Sequence, residues 1–323
     1  MYKCQICGHS AGNTEYVAKE MMLGLRDAFV YFQCRACECL QLHTPPKDLS
    51  RYYPPSYYSF RPAEQAPTTG GLRQWARGRR DLYAILQRGM LGRVLYRVSP
   101  DDALRTLASQ HFPGGGAALV GLSRHSRLLD VGCGSGAFLV MLHRAGFLHV
   151  LGIDPHLEGD ITYPTGLRIL KRSLDDCNGA WDVVMFHHSF EHLPDPLSVL
   201  RRVGDLLSTR GRVIVRIPLV SSYAWQRYGV NWVQLDAPRH LFLHSRTSIT
   251  RLARAAHLVI EKVVYDSSEF QFVGSELYEQ GVPLASSRES RVSPQQLEAF
   301  RRQAAVLNAT ERGDQAAFYL RKG

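Results

Sequence analysis

Leu128-Leu129-Asp130-Val131-Gly132-Cys133-Gly134-Ser135-Gly136 is an apolar strand with an acid near its end, running directly into glycines at every second position. Such glycines allow tight or left-handed turns and leave no Cβ between the backbone and a ligand lying across it. The run that follows, Ala137-Phe138-Leu139-Val140-Met141-Leu142, has the apolar content to open a helix. The stretch therefore predicts the strand-turn-helix start of a nucleotide-binding βαβ unit. The loop by itself leaves the cofactor open, because Gly132, Gly134 and Ala137 also satisfy the relaxed dinucleotide fingerprint.

Outward from this stretch, short apolar strands alternate with helical patterns. The pattern predicts strands at 127–131, 149–153, 167–171, 181–186, 211–217 and 257–265, with a closing strand at 315–321. This alternation is the signature of a doubly wound parallel sheet, whose ligands bind at the carboxyl ends of the strands. Two more motifs sit at such ends. Asp154 closes the second strand, and Trp181-Asp182 opens the fourth, which runs through Phe186 and His187 into Glu191-His192.

These three motifs, in this order, resemble those of class I S-adenosylmethionine-dependent methyltransferases. The resemblance covers roughly 127–323 and implies a seven-stranded Rossmann-like sheet with the last strand antiparallel. It implies that Asp130, Gly132, Cys133, Gly134 and Gly136 approach the methionine part of S-adenosylmethionine. Asp154, followed by Pro155, is implied to accept the ribose hydroxyls, as an acid after the second strand does in dinucleotide folds. Adenine is expected near Ser173 and Leu174, although the family more often has an acid where Ser173 stands. Phe186 and His187 are expected to line the methyl-transfer face.

The N-terminal segment reads differently. Cys4-x-x-Cys7 and Cys34-x-x-Cys37 form two thiolate hooks at the spacing of a tetrahedral zinc site, with Cys39 and His9 near enough to replace a ligand. Iron and a redox dithiol are the lesser readings. A closed four-ligand zinc would be structural, substituting for a core that some fifty residues cannot build. The expected division is a zinc-binding module at 1–58, a basic helical connector at 59–126 and the α/β domain at 127–323.

In the connector, Leu72, Trp75, Leu82, Leu86, Met90 and Val94 recur on one helical side, with Arg73, Arg77, Arg80 and Arg88 on the other. Residues 61–127 hold eleven arginines and no lysine against four acids, which places +7 of the formal +10 charge there. Such a field suits an anionic acceptor such as a nucleotide-linked sugar, a lipid phosphate or RNA, with membrane-surface docking a secondary reading, or simply a solvated helix face.

Between the fifth strand and the helix expected near Ser245 lies an unusual stretch, 221–244, with Trp225, Tyr228, Trp232, Asp236, Arg239 and His240. Loops of this length and composition usually carry function. Its aromatics suit stacking on a sugar or base, Arg239 suits a phosphate, and His240 suits a proton. His192 either faces the acceptor or caps the next helix. Similar Asp-x-Pro-Arg-His-Leu segments occur in bacterial methyltransferases of polysaccharide and natural-product glycosylation clusters.

The reading that follows is O-methylation of a sugar or related intermediate, nucleotide- or lipid-phosphate-linked, with His240, then His192, as base. Carbon methylation of a nucleotide-linked keto-sugar and RNA methylation are the alternatives. Cysteines at metal spacing, with neither a leader pattern nor a bilayer-length apolar run, place the chain in the cytoplasm.

Overall fold

The computed structural model describes residues 2–54, 58–60, 71–286 and 292–323. The part of the expected connector at 61–70 lies outside the described residues. Three short strands open the chain, β1 (Thr14–Lys19), β2 (Ala28–Gln33) and β3 (Leu40–Leu42). Four helices follow, α1 (Leu72–Leu86), α2 (Met90–Val98), α3 (Asp102–His111) and the single turn α4 (Gly116–Leu119). The glycine-loop region brings β4 (Leu128–Val131), α5 (Ala137–Arg144), β5 (Val150–Ile153), β6 (Ile161–Thr162), β7 (Arg168–Leu170) and β8 (Trp181–His187). Next come α6 (Pro196–Leu206), β9 (Leu207–Pro218), α7 (Tyr223–Tyr228), β10 (Phe242–Leu243) and α8 (Arg246–Ala255). The chain finishes with β11 (Leu258–Tyr265), α9 (Phe270–Glu279), α10 (Pro294–Ala309) and β12 (Gln315–Lys322).

All seven expected strands are present, in one sheet of order β11-β12-β9-β8-β4-β5-β7-β6. β6 was not expected: its two residues pair antiparallel with β7 and add an eighth strand at the edge. β4 runs parallel to β5 on one side and to β8 on the other, with Asp130 opposite Gly152 and Met185. Every residue of β4 is buried, which is why it reads as a continuous apolar run rather than an alternating one. The order reverses at β4, so the crevice of this doubly wound, Rossmann-like sheet opens beside the glycine loop.

The compact units do not follow the three-part division by chain order. One comprises 1–54, 190–201 and 216–318, and the other 55–189, 202–215 and 319–323. In the first, β1, β2, β3 and β10 form a small antiparallel sheet in which Leu40 faces Leu243. Tyr31, Phe32 and Leu40 share a buried cluster with Trp225, Tyr228, Trp232, Phe242 and Phe272. The aromatics expected to stack on an acceptor are thus core. Short strands cannot bury enough apolar surface alone, and the 223–243 stretch supplies the missing side chains.

The connector also departs from expectation. A break at Gln87, which takes a left-handed conformation, divides it into α1 and α2. The inward residues are Asp81, Ala84, Ile85, Gly92 and Tyr96, whereas Leu72, Trp75, Met90 and Val94 lie on the surface. Of the apolar side read from the sequence, Leu72, Trp75, Met90 and Val94 face outward, whereas Leu82 and Leu86 are half-buried.

Candidate functional site

Gly132 and Gly134 hold φ of 73° and 55°, which strains any L side chain. A Cβ on Gly132 would meet the Ser189 Cβ at 2.5 Å, and one on Gly134 the Ser59 carbonyl oxygen at 2.4 Å. The turn is fixed by its own hydrogen bonds. Gly132 N–H donates to the Ile153 carbonyl at 2.8 Å and Ser135 N–H to the Ser59 carbonyl at 2.9 Å, while the Ser189 hydroxyl donates to Val131. Residues 58–60, a short 3-10 turn, therefore lie against the glycine loop, a neighbour that the sequence did not reveal.

Two carboxylates are buried at this turn. The Asp154 carboxylate accepts Gly134 N–H through one oxygen and His156 N–H through the other, both at 2.9 Å. Asp130 is fully enclosed, and burial together with the charge of Asp154 pushes its pKa up to about 7. Two acids in one desolvated corner favour a cationic ligand. Beside them Cys133 is small and half-buried, and burial raises its thiol well above the ordinary value, so it is no nucleophile.

The remaining expected cofactor residues divide. Pro155 and Ser173 are exposed, and Ser173 caps the turn Leu174–Asp176 through a reciprocal bond with Asp176, while Leu174 is buried. Phe186 is fully buried and offers no face to a ligand. His187 is half-buried and meets the His111 ring edge-on at 4.4 Å, with His111 stacked on Phe138.

The other unit gathers a second constellation. His192 and His240 meet edge to face with centroids 4.7 Å apart. His192 Nδ1 lies 2.8 Å from the Arg239 carbonyl and 3.1 Å from the Tyr53 hydroxyl, and His240 Nδ1 lies 2.8 Å from the Gln234 carbonyl. A carbonyl only accepts, so both Nδ1 atoms carry hydrogen and both Nε2 lone pairs remain. His240 Nε2 is 3.8 Å from Glu191 and 3.9 Å from Asp236. Burial first, then the charge of His192, pushes His240 down to about 4 against these two carboxylates. His192 does not cap the next helix. That place belongs to Asp195, whose carboxylate accepts Ser198 N–H at 3.0 Å.

Arg239 corrects another expectation. Its side chain is fully buried, with Nε on Asp236 at 2.8 Å, Nη2 on Glu20 at 3.0 Å and Nη1 on the Tyr52 carbonyl at 3.2 Å. It ties the loop to the N-terminal strands rather than facing a phosphate. Asp236 therefore serves Arg239, and the Gln234 carbonyl orients His240. Sequence reasoning missed Glu191 and Tyr53 as members of this group. The signal for Glu191 was its place beside His192. Glu191, His192 and His240 have ligand atoms within 4.8 Å of one another, the donor set of a divalent cation. A lone pair given to a metal is not available to a proton.

The four cysteines converge as their spacing implied. Sγ of Cys4 lies 3.5 Å from that of Cys37, and Sγ of Cys7 lies 3.5 Å from that of Cys34. All four lie within 4.8 Å of one another, close to the ~3.8 Å edge of a tetrahedron built on 2.3 Å metal–sulfur bonds. The hooks match: Gly8 N–H donates to Cys4 and Glu38 N–H to Cys34, each donor residue left-handed. Gln41 also donates to Cys4 Sγ at 2.9 Å, which suits a thiolate. Cys39 is buried beside His244 and is outside the group, as is His9.

Residues 115–263 match a family model described as a methyltransferase domain. A ubiquinone biosynthesis O-methyltransferase of Aeromonas salmonicida is 28% identical over 153 residues, covering 42% of this chain and 63% of that protein. Its counterpart in Ruegeria pomeroyi is 35% identical over 128 residues, covering 35% and 50%. The chain thus spans between half and just under two thirds of these curated relatives. Among solved structures, an S-adenosylmethionine-dependent methyltransferase of Mesorhizobium loti is 18% identical, covering 64% of this chain and 97% of that one at a TM-score of 0.39. The 1,6-didemethyltoxoflavin-N1-methyltransferase of Burkholderia thailandensis is 16% identical, covering 80% and 93% at 0.39.

Proposed function

We propose that this chain is an S-adenosylmethionine-dependent methyltransferase acting on a hydroxyl of a small acceptor, a sugar or related polysaccharide or natural-product intermediate. The observation that carries the reading is the pair of buried carboxylates, Asp130 and Asp154, on a glycine turn within the matched residues 115–263. Bound S-adenosylmethionine supplies a methyl group on a cationic sulfonium. In this reading the backbone of 132–136 and Asp130 hold its amino-acid end, Asp154 accepts the ribose hydroxyls, and Ser173 and Leu174 border the base. The O-methyltransferase names of the curated relatives support a hydroxyl acceptor.

His240 receives the hydroxyl proton at Nε2, and Glu191 and Asp236 favour the charge it gains. Most of the rate then comes from alignment of acceptor and donor. The cysteine group holds one structural zinc. Cysteine pairs at metal spacing, rather than in a disulfide framework, support a cytoplasmic placement.

Calorimetry of the purified chain with S-adenosylmethionine and with NAD tests the donor. Tight NAD binding without S-adenosylmethionine binding overturns the reading. Methyl transfer to RNA but not to sugar acceptors overturns the acceptor class alone.

A further inference from the structure

The outward face of the connector has a pattern of its own. At 3.6 residues per turn, Met90, Leu91, Val94 and Val98 fall within an arc of roughly 100° on α2. Met90 is 83% and Val98 80% exposed, while the buried Gly92 and Tyr96 occupy the opposite side. Arg93 and Arg97 border the arc and Arg88 precedes it, all three exposed and outside any ion pair among the described residues. On α1, Leu72 is 77% exposed and Trp75 half-exposed, with the Arg79 guanidinium 5.7 Å from the Trp75 ring. An exposed apolar arc bordered by arginines, as on α2, marks an interaction face rather than chance exposure.

We propose that this face docks on an anionic lipid bilayer. A second copy would bring two arginine-bordered faces together at the cost of like-charge repulsion. RNA would take the arginines and leave the apolar arc in water. A bilayer of anionic lipid satisfies both halves, with headgroup phosphates for the arginines and the acyl boundary for Met90, Val94 and Val98. Trp75 suits that boundary, where an apolar ring with one polar edge is at home. No described helix is long and apolar enough to cross a membrane, so the contact is peripheral. The proposal does not depend on the methyl-transfer reading.

The test is co-sedimentation of the full chain with vesicles of phosphatidylcholine alone or mixed with phosphatidylglycerol, at several salt concentrations. Binding is expected to the mixed vesicles only and to weaken with salt. Arg88→Ser/Arg93→Ser/Arg97→Ser should lower partitioning about a hundredfold, roughly fivefold per arginine. Met90→Ser/Val94→Ser/Val98→Ser should lower it by roughly tenfold or more, because the apolar arc supplies the rest. All six positions are exposed, and circular dichroism confirms the fold of each variant. The proposal is overturned by a chain that stays in the supernatant with anionic vesicles, or by either variant binding like the parent. A dimer that the serine variant of the apolar arc dissolves, or RNA binding that displaces the vesicles and ignores that variant, also overturns it.

Discussion

The Asp154 carboxylate holds the glycine turn as well as facing it, accepting the Gly134 N–H at 2.9 Å. One side chain thus shapes the loop and, in the proposed reading, also offers acceptors to a ligand. Asp154→Ala removes both and is expected to weaken S-adenosylmethionine binding by more than about tenfold. Asp154→Asn keeps an acceptor for the turn but loses the charge, so its affinity should fall between the two. Calorimetry decides, and an alanine variant with parental affinity would remove Asp154 from the site.

Asp130 makes that binding depend on pH. Burial and the neighbouring Asp154 charge raise its carboxyl to about 7, so near neutrality a large share is protonated. A cationic ligand favours the ionised form and lowers this pKa when it binds. Affinity should therefore rise as pH increases from about 6 to 8, and binding should release protons. Calorimetry in buffers of different ionisation enthalpy reads that release directly. Equal affinity at both ends of the range, with no proton released, means that Asp130 does not meet the cation.

The sheet was legible because its signals are local. An apolar run, a glycine turn and a helix opening follow one another within 128–142, and the cysteine hooks each span four residues. The burial of Arg239 was not legible, since its partner Glu20 lies 219 residues away. The same holds for Trp232, whose indole N–H donates to Asp314 at 3.0 Å across 82 residues. Periodicity gave the apolar side of α1 and α2 but not its direction, because the sequence does not show which face meets a neighbour. His192 and His240 were read as separate candidates, and only folding makes them a pair.

Chelation should loosen more than the cysteine hooks. Tyr31 donates its hydroxyl to the His240 carbonyl at 2.8 Å, Leu42 N–H donates to Leu241, and the Ser245 hydroxyl to Cys37. The cysteine module and the 234–245 stretch are therefore one structure. One zinc per chain is expected, and its removal should speed amide exchange in 2–42 and 240–245 while 128–131 and 150–153 stay protected. Cys37→Ser should lose the metal and Cys39→Ser should keep it. Protected amides at 240–245 after the metal has gone would separate the module from the loop.

His240 is the base in the proposed reaction, and its environment makes the claim specific. Burial and the charge of His192 lower it to about 4, so the neutral, proton-accepting form persists down to that pH and is lost only below it. An ordinary histidine would be half protonated already near 6.5. Ring resonances of His240 should therefore not titrate between pH 8 and 5, and single-turnover transfer at saturating S-adenosylmethionine should hold across that range. His240→Ala should lower the transfer rate by about 10²- to 10⁴-fold with S-adenosylmethionine affinity unchanged, as loss of a general base does. His192→Ala should cost less, because its ring shapes His240's surroundings and lies against it at 4.7 Å. Metal content separates this from the competing use of the same atoms. One ion per chain leaves both Nε2 atoms for protons, whereas a second ion bound through Glu191, His192 and His240 would make the histidines ligands. Wild-type rates in both alanine variants would show that neither histidine is the base and that alignment alone carries the transfer.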